Sequence, residues 1–512
     1  MSVPYKYREM GDFHKYYSGE AKAPYLTIFI GGNHEASGHM RELFYGGWAA
    51  PNIYYMGAAN VLRVGSLRIA GMSGIFKRPD YWKPHFERLP FRQDNLKSIY
   101  HVRELDVRKL LHIRSQIDIG LSHDWPQGIE WFGDHNQLFK VKPHFRQEAE
   151  DGTLGSPPAK EVLDWLRPPY WLSGHMHVKY SSIKSFKDND NKLSTTSLET
   201  KPLGSEAQIE SSKNEDEIDL DLDDDDDGDD NKPAEEEAST VKAKSAVSDE
   251  LRAQLPASFT KPTPKRNARP EPVNIPRPPT ITNKTTNFLA LDKILPNREF
   301  LQLLEVAPSN PPTTASVLQR PLALTYDPEW LAITRAFSTT NPTAPSAPPS
   351  ASPPSTMLER IDAEAAWVDE HIVRADRLAV PTSDFAVTAP VYDAARGRDV
   401  PGMPREYNNP HTVAFCELLG IQNFFWDAEE RQVERERNAP AESREIQRGG
   451  GRGGNRFRGG GGRGGQRGFG DGRGGGGGGR GRGGHFSGWG GRDRGRGDGF
   501  RRGGFRGGQS SE

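Results

Sequence analysis

The sequence predicts an α/β fold, with strands layered against helices, followed by a smaller C-terminal domain and long disordered segments. Three observations carry this. Short runs rich in Ile, Tyr and Leu, each bounded by Gly or Pro, recur through the first 183 residues. A capped, amphipathic helical pattern stands between two of them. Beyond about residue 184 the composition turns to Ser, Lys, Asp, Glu and Pro with little hydrophobic periodicity.

The strand candidates, in order, are residues 25–30 (YLTIFI), 52–57 (NIYYMG), 67–73 (LRIAGMS), 117–121 (IDIGL) and 170–173 (YWLS). Their brevity and lack of alternation suit interior strands, buried on both faces. The helix covers 157–166. Ser156 caps it, Pro157 and Pro158 suit its first turn, Val162, Leu163 and Leu166 form an apolar stripe, and Pro168 stops it. Order is expected to return at 286–306 and 321–337, with a helix at 357–378 and a closing element at 408–425. The resulting division is a core at 1–183, an acidic disordered linker at 184–283, a C-terminal region at 284–426 with a Pro/Ser insert at 338–356, and a tail at 427–512.

Only 34% of the 512 residues are apolar, with 55 Gly and 40 Pro, so the whole length cannot bury a core. The net charge of −2 conceals opposite blocks. Residues 215–237 hold fifteen acidic residues and one Lys, whereas residues 448–512 hold fifteen Arg and four acidic residues. The tail repeats Arg-Gly-Gly with occasional Phe or Trp. That pattern suits sequence-tolerant RNA contact through phosphate pairing and stacking, or service as a solubilising tail. One cysteine, Cys416, excludes an internal disulfide and any Cys-rich zinc module. No apolar run approaches the roughly 20 residues of a membrane span, and residues 1–20 hold no signal-like apolar stretch. A nuclear or cytosolic protein is expected, with residues 261–269 (KPTPKRNAR) a short basic run of the nuclear-import kind.

Three motifs each follow a predicted strand: Gly31-Gly32-Asn33-His34-Glu35, Ser122-His123-Asp124-Trp125-Pro126, and Ser173-Gly174-His175-Met176-His177. Carboxyl ends of neighbouring strands in α/β folds converge on one rim, where ligands bind. Asn33, His123, His175 and His177 are therefore expected to meet. Their imidazole nitrogens and amide oxygen suit Zn, Fe or Mn. Singly, each motif also reads as an ordinary rim histidine or a Gly-Asn turn; the joint order Asn-His, His, His-x-His is what points to a metal site.

That order is the signature of calcineurin-like metallophosphoesterases. The longer words IGGNHEASGHM, YGGWAAPNIYYMG, LSHDWPQGI, FRQEAEDGTLGSP and FLALDKILPNREFLQLLEV resemble the RNA lariat debranching enzymes. The resemblance covers 4–183 and resumes more loosely at about 284–337. It implies a metallophosphoesterase β-sandwich flanked by helices, two divalent metal ions (Fe, Zn or Mn), and hydrolysis of the 2′–5′ phosphodiester at the branch point of excised introns. Carried over by motif, Asn33, His123 and His175 look like ligands of one metal and His177 of the other. His34 looks like the catalytic histidine. Residues 73–103 match the family's recognition loop. There Lys77, Arg78, Tyr81, Trp82, Lys83, Arg88, Arg92, Tyr100, His101 and Arg103 mix cations with aromatics, as needed to hold branched RNA.

The resemblance also implies a first strand bearing Cys-x-His or Asp-x-His and a second ending in Gly-Asp, whose Asp bridges both metals. Neither motif precedes residue 31 on a strand-like run. Gly11-Asp12-Phe13-His14 imitates the second, but YKYREM before it is no buried strand. The expectation is thus a core lacking its first strands, with family membership and this chain's activity as separate questions. The alternatives are an inactive RNA-binding protein and another metallophosphoesterase.

Overall fold

Steric crowding at β-branched and aromatic residues favours extended backbone, and such runs build two sheets. The computed structural model describes residues 10–187, 277–311, 322–344, 354–393, 395 and 405–439. The strands are β1 (Thr27–Phe29), β2 (Gly47–Ala50), β3 (Ile53–Tyr55), β4 (Ala59–Val64), β5 (Leu67–Met72), β6 (Ile119–Ser122), β7 (Tyr170–Ser173), β8 (Tyr180–Ser185), β9 (Thr285–Ala290) and β10 (Leu324–Tyr326). A three-stranded sheet has the order β1-β3-β2, and a seven-stranded sheet the order β10-β4-β5-β6-β7-β9-β8. Strands β5, β6, β7 and β9 run parallel, so their carboxyl ends share one edge.

The two sheets share a core. Trp48, Tyr54 and Met56 from the small sheet's side pack in one buried cluster with Leu62, Leu324 and Tyr326 from the large one. A second cluster covers the large sheet with Val107, Leu110, Val162, Leu163, Trp165 and Leu166. The mixed α/β sandwich is therefore the fold. The helix Pro157–Leu166 has the bounds the sequence sets: Ser156 Oγ accepts from Ala159 N–H at 3.2 Å, and Arg167 closes the helix at φ 43°.

Within the expected C-terminal region, 284–426, β9 lies between β7 and β8 in the large sheet, and β10 extends the same sheet beyond β4. The reason is tertiary: from sequence this stretch is expected only to be ordered, and nothing local says which place in a sheet it fills. Asp327 fastens this region further. It caps helix Pro328–Ala336 through Trp330 N–H and accepts from Arg68 Nε and Nη2 at 2.8 Å and Arg63 Nε at 2.7 Å. Burial works to raise the pKa of Asp327, and the two guanidinium groups hold it below the ordinary carboxylate value.

Other boundaries moved. No sequence run marks β2, β4, β8, β9 or β10 as a strand, and the helix expected at 357–378 runs Pro354–Val368 with a π-helical turn at Asp369–Val373. Residues 291–306 form neither helix nor strand and leave Ile294, Leu301 and Leu303 exposed. Helix Glu429–Asn438 occupies part of the stretch assigned to the tail. The acidic block, the basic run 261–269 and the Arg-Gly-Gly repeats lie outside the described residues.

Candidate metal and RNA site

Parallel β6 and β7 deliver the second and third motifs side by side, because a glycine lets them approach. A Cβ at Gly120 would stand 2.3 Å from the Trp171 ring. Trp171 Nε1–H donates to Ser122 Oγ at 2.9 Å, Ser122 Oγ lies 3.0 Å from Ser173 Oγ, and Gly174 N–H donates to His123 O at 3.0 Å. Trp125 Nε1–H donates to Gly174 O at 2.9 Å. The two turns are thus cross-linked by their own hydrogen bonds. His175 and His177 both adopt positive φ, 64° and 51°, a left-handed conformation that costs a non-glycine residue energy.

The first motif comes from the other sheet. Gly31 N–H donates to Ser73 Oγ and Gly32 N–H to Glu35 Oε1, each at 3.0 Å. A Cβ at Gly32 would lie 2.6 Å from His123 Cε1, so glycine permits the contact of the two sheets at this rim. Buried Asn33 places Oδ1 3.1 Å from His123 Nε2, and the rings of His123 and His175 are 4.9 Å apart by centroid. Burial, then neighbouring His175, His34 and His177, push His123 down to about 3. Burial, Lys293, His175 and Lys142 push His177 to about 4. Both imidazoles are therefore neutral near pH 7, the form that ligates metal.

The structure brings together Asn33, His123 and His175, with His34 and His177 close enough to act on His123 electrostatically. Asp124, for which the motif alone implies no role, is buried beside His175 and accepts from Trp125 N–H at 2.9 Å. Only its position in the Ser-His-Asp word could have drawn attention to it. Asp12 is exposed at the start of helix Phe13–Ser18, where neighbouring His14 packs against Tyr392.

As donors, imidazole and amide oxygen suit Zn, Fe or Mn. Among the described residues, no group of three or more His, Cys, Asp and Glu side chains gathers at metal-binding distance. The donors thus fit one ion in kind, through Asn33, His123 and His175. They bring no carboxylate to offset a second ion's charge.

The recognition loop divides by exposure. Arg78, Trp82, Lys83 and Arg92 are exposed, and Lys77 and Tyr100 are half-buried. Tyr81, His101 and Arg103 are interior. Arg103 Nη2 donates to Glu87 Oε1 at 2.5 Å and to Ser98 O at 2.8 Å, and His101 Nδ1 lies 2.6 Å from Asp80 Oδ2. Those side chains hold the loop's own shape. Arg88 is half-buried and engages Glu406 and Asp427.

A family model described as the lariat debranching enzyme C-terminal domain matches residues 283–424. The lariat debranching enzyme of Schizosaccharomyces pombe is 38% identical over 434 residues, covering 82% of this chain and 86% of that protein. The lariat debranching enzyme of Arabidopsis thaliana is 35% identical over 421 residues, covering 82% and 74%. The human one is 37% identical over 431 residues, with 82% of this chain spanning 60% of its length.

Proposed function

The chain belongs to the lariat debranching enzyme family, and from that membership we propose that it hydrolyses the 2′–5′ phosphodiester at the branch point of intron lariat RNA. The observation that carries the reading is the convergence of Asn33, His123 and His175 at the carboxyl ends of β1, β6 and β7. Asn33, His123 and His175 would hold one divalent ion, and His177 would belong to a second. Bound ions of this kind polarise a phosphate and activate water. His34, coupled to His123, is assigned to stabilise charge on the phosphate or protonate the departing 2′-oxygen.

Exposed Trp82 supplies a stacking surface for an unpaired base, and Arg78, Lys83 and Arg92 supply cations for phosphates. RNA contact by the Arg-Gly-Gly tail and a nuclear site of action belong to the same proposal.

The test is incubation of the full chain and its His34→Ala variant with a branched oligonucleotide and Mn²⁺. Linear product is expected from the parent, at a rate roughly 10²–10⁴-fold above the variant. Equal rates would remove His34 from the mechanism. Failure of the parent both to cleave and to prefer branched over linear RNA would remove the debranching assignment.

A further inference from the structure

An arginine that serves an RNA phosphate keeps its fork of donors open to solvent. Arg88 does not. Its Nη1 lies 3.0 Å from Glu406 Oε2 and 3.3 Å from Asp427 Oδ2, and its Nη2 donates to the Phe424 carbonyl. Arg435, on helix Glu429–Asn438, meets the same two carboxylates: Nη2 is 2.9 Å from Glu406 Oε2, and Nη1 donates to Asp427 Oδ2. Its Nε also donates to the Leu89 carbonyl of the loop at 3.3 Å. Arg88 and Arg435 thus share Glu406 and Asp427, with Arg431 Nη1 3.6 Å from Asp427 Oδ1 and buried Arg41 in the same electrostatic field, and the Glu406 side chain is only 4% exposed.

Gln432 fixes both acids by accepting from Glu406 N–H at 3.3 Å and donating to Asp427 O at 2.8 Å. Phe425 extends the contact inward. It stacks on Phe44 at 3.7 Å between centroids, lies 5.0 Å from the Arg41 guanidinium, and walls a cavity of about 70 Å³ that reaches Gly31, Gly32 and Glu35.

We infer that Arg88 is a positioning residue, and that segment 405–438 sets the conformation of loop 84–96 and so decides how branched RNA is received. The inference deepens the debranching reading and rests on the RNA-binding role that reading gives the loop. Glu406 and Asp427 hold Arg88 and Arg435. The four together pin the loop beside the Gly-Gly-Asn-His motif without offering a group to the RNA.

Salt dependence separates positioning from phosphate contact, because each lost phosphate contact flattens the slope of log K against log salt by about 0.7 for single strands. Binding of a branched oligonucleotide to the full chain would be followed by fluorescence anisotropy from about 50 to 200 mM salt. The variants are Arg88→Gln, Arg88→Lys and Glu406→Gln, and hydrogen exchange of 84–96 is read in the free chain. Arg88→Gln and Glu406→Gln are each expected to weaken binding roughly tenfold with an unchanged slope and to speed exchange in the loop. Arg88→Lys should behave like Arg88→Gln, since it keeps the charge and loses the fork.

Glu406→Gln is the sharpest variant. Removing a negative charge tightens RNA binding if bare electrostatics governs, and its near-identical shape keeps the question answerable should Arg88→Gln unfold. A flattened slope in Arg88→Gln, with unchanged or tighter binding in Glu406→Gln, would overturn the inference. So would unchanged exchange of the loop. If the parent chain neither cleaves nor prefers branched RNA, the debranching reading fails, while the exchange of 84–96 still decides this one.

Discussion

Glu42 shows how a single buried acid sets a pH response. Its carboxylate accepts from Thr388 Oγ1 at 2.7 Å and from Asn409 Nδ2 at 3.4 Å, yet burial outweighs both bonds and pushes it up to about 7. A raised carboxyl pKa means the folded state holds its proton longer than the unfolded chain, whose ordinary value is 4.5. The stabilising contribution is therefore full below about pH 4.5 and disappears as pH rises through 7. Between pH 5 and 8 the parent should lose on the order of 2–3 kcal/mol relative to Glu42→Gln. Urea midpoints of the two proteins across that range check it, and parallel curves would refute the assignment.

At the scale of elements, the site is a consequence of how closely β6 and β7 pair. Gly120 makes room for Trp171, whose indole N–H holds Ser122, and Ser122 in turn meets Ser173. An alanine at 120 would force Trp171 aside and disturb both histidine turns together. Gly120→Ala is expected to cost roughly 1–3 kcal/mol from overpacking. Urea unfolding reads the cost and Trp fluorescence the displaced ring; a variant with parent-like stability and emission would show that the strands can part without penalty.

For the whole molecule, the decisive feature is that the C-terminal region is threaded into the sheet. Strand β9 separates β7 from β8, so a chain ending at 187 leaves β7 without one of its two neighbours and β8, among the described residues, with only the Gly133–Ser182 bridge. It also strips Asp327 from Arg68, leaving a buried guanidinium uncompensated. Residues 1–187 alone are expected to show no cooperative thermal transition by circular dichroism. A sharp transition would mean that the N-terminal part folds by itself.

Sequence by itself determined the three strand-end motifs, the strand runs before them, and the capped helix Pro157–Leu166, because each depends on local chemistry: turn residues, caps and apolar runs. Word-level resemblance determined the family. Tertiary structure alone decided which loop residues face outward. Arg88 and Arg103 look like RNA ligands in a list of cations, and only packing reveals that Glu406, Asp427 and Glu87 have already claimed them. Tertiary structure likewise decided that 285–290 and 324–326 belong to the core sheet. Strand pairing and charge pairing join residues far apart in the chain, so their partners are set by burial and geometry and not by their neighbours in sequence.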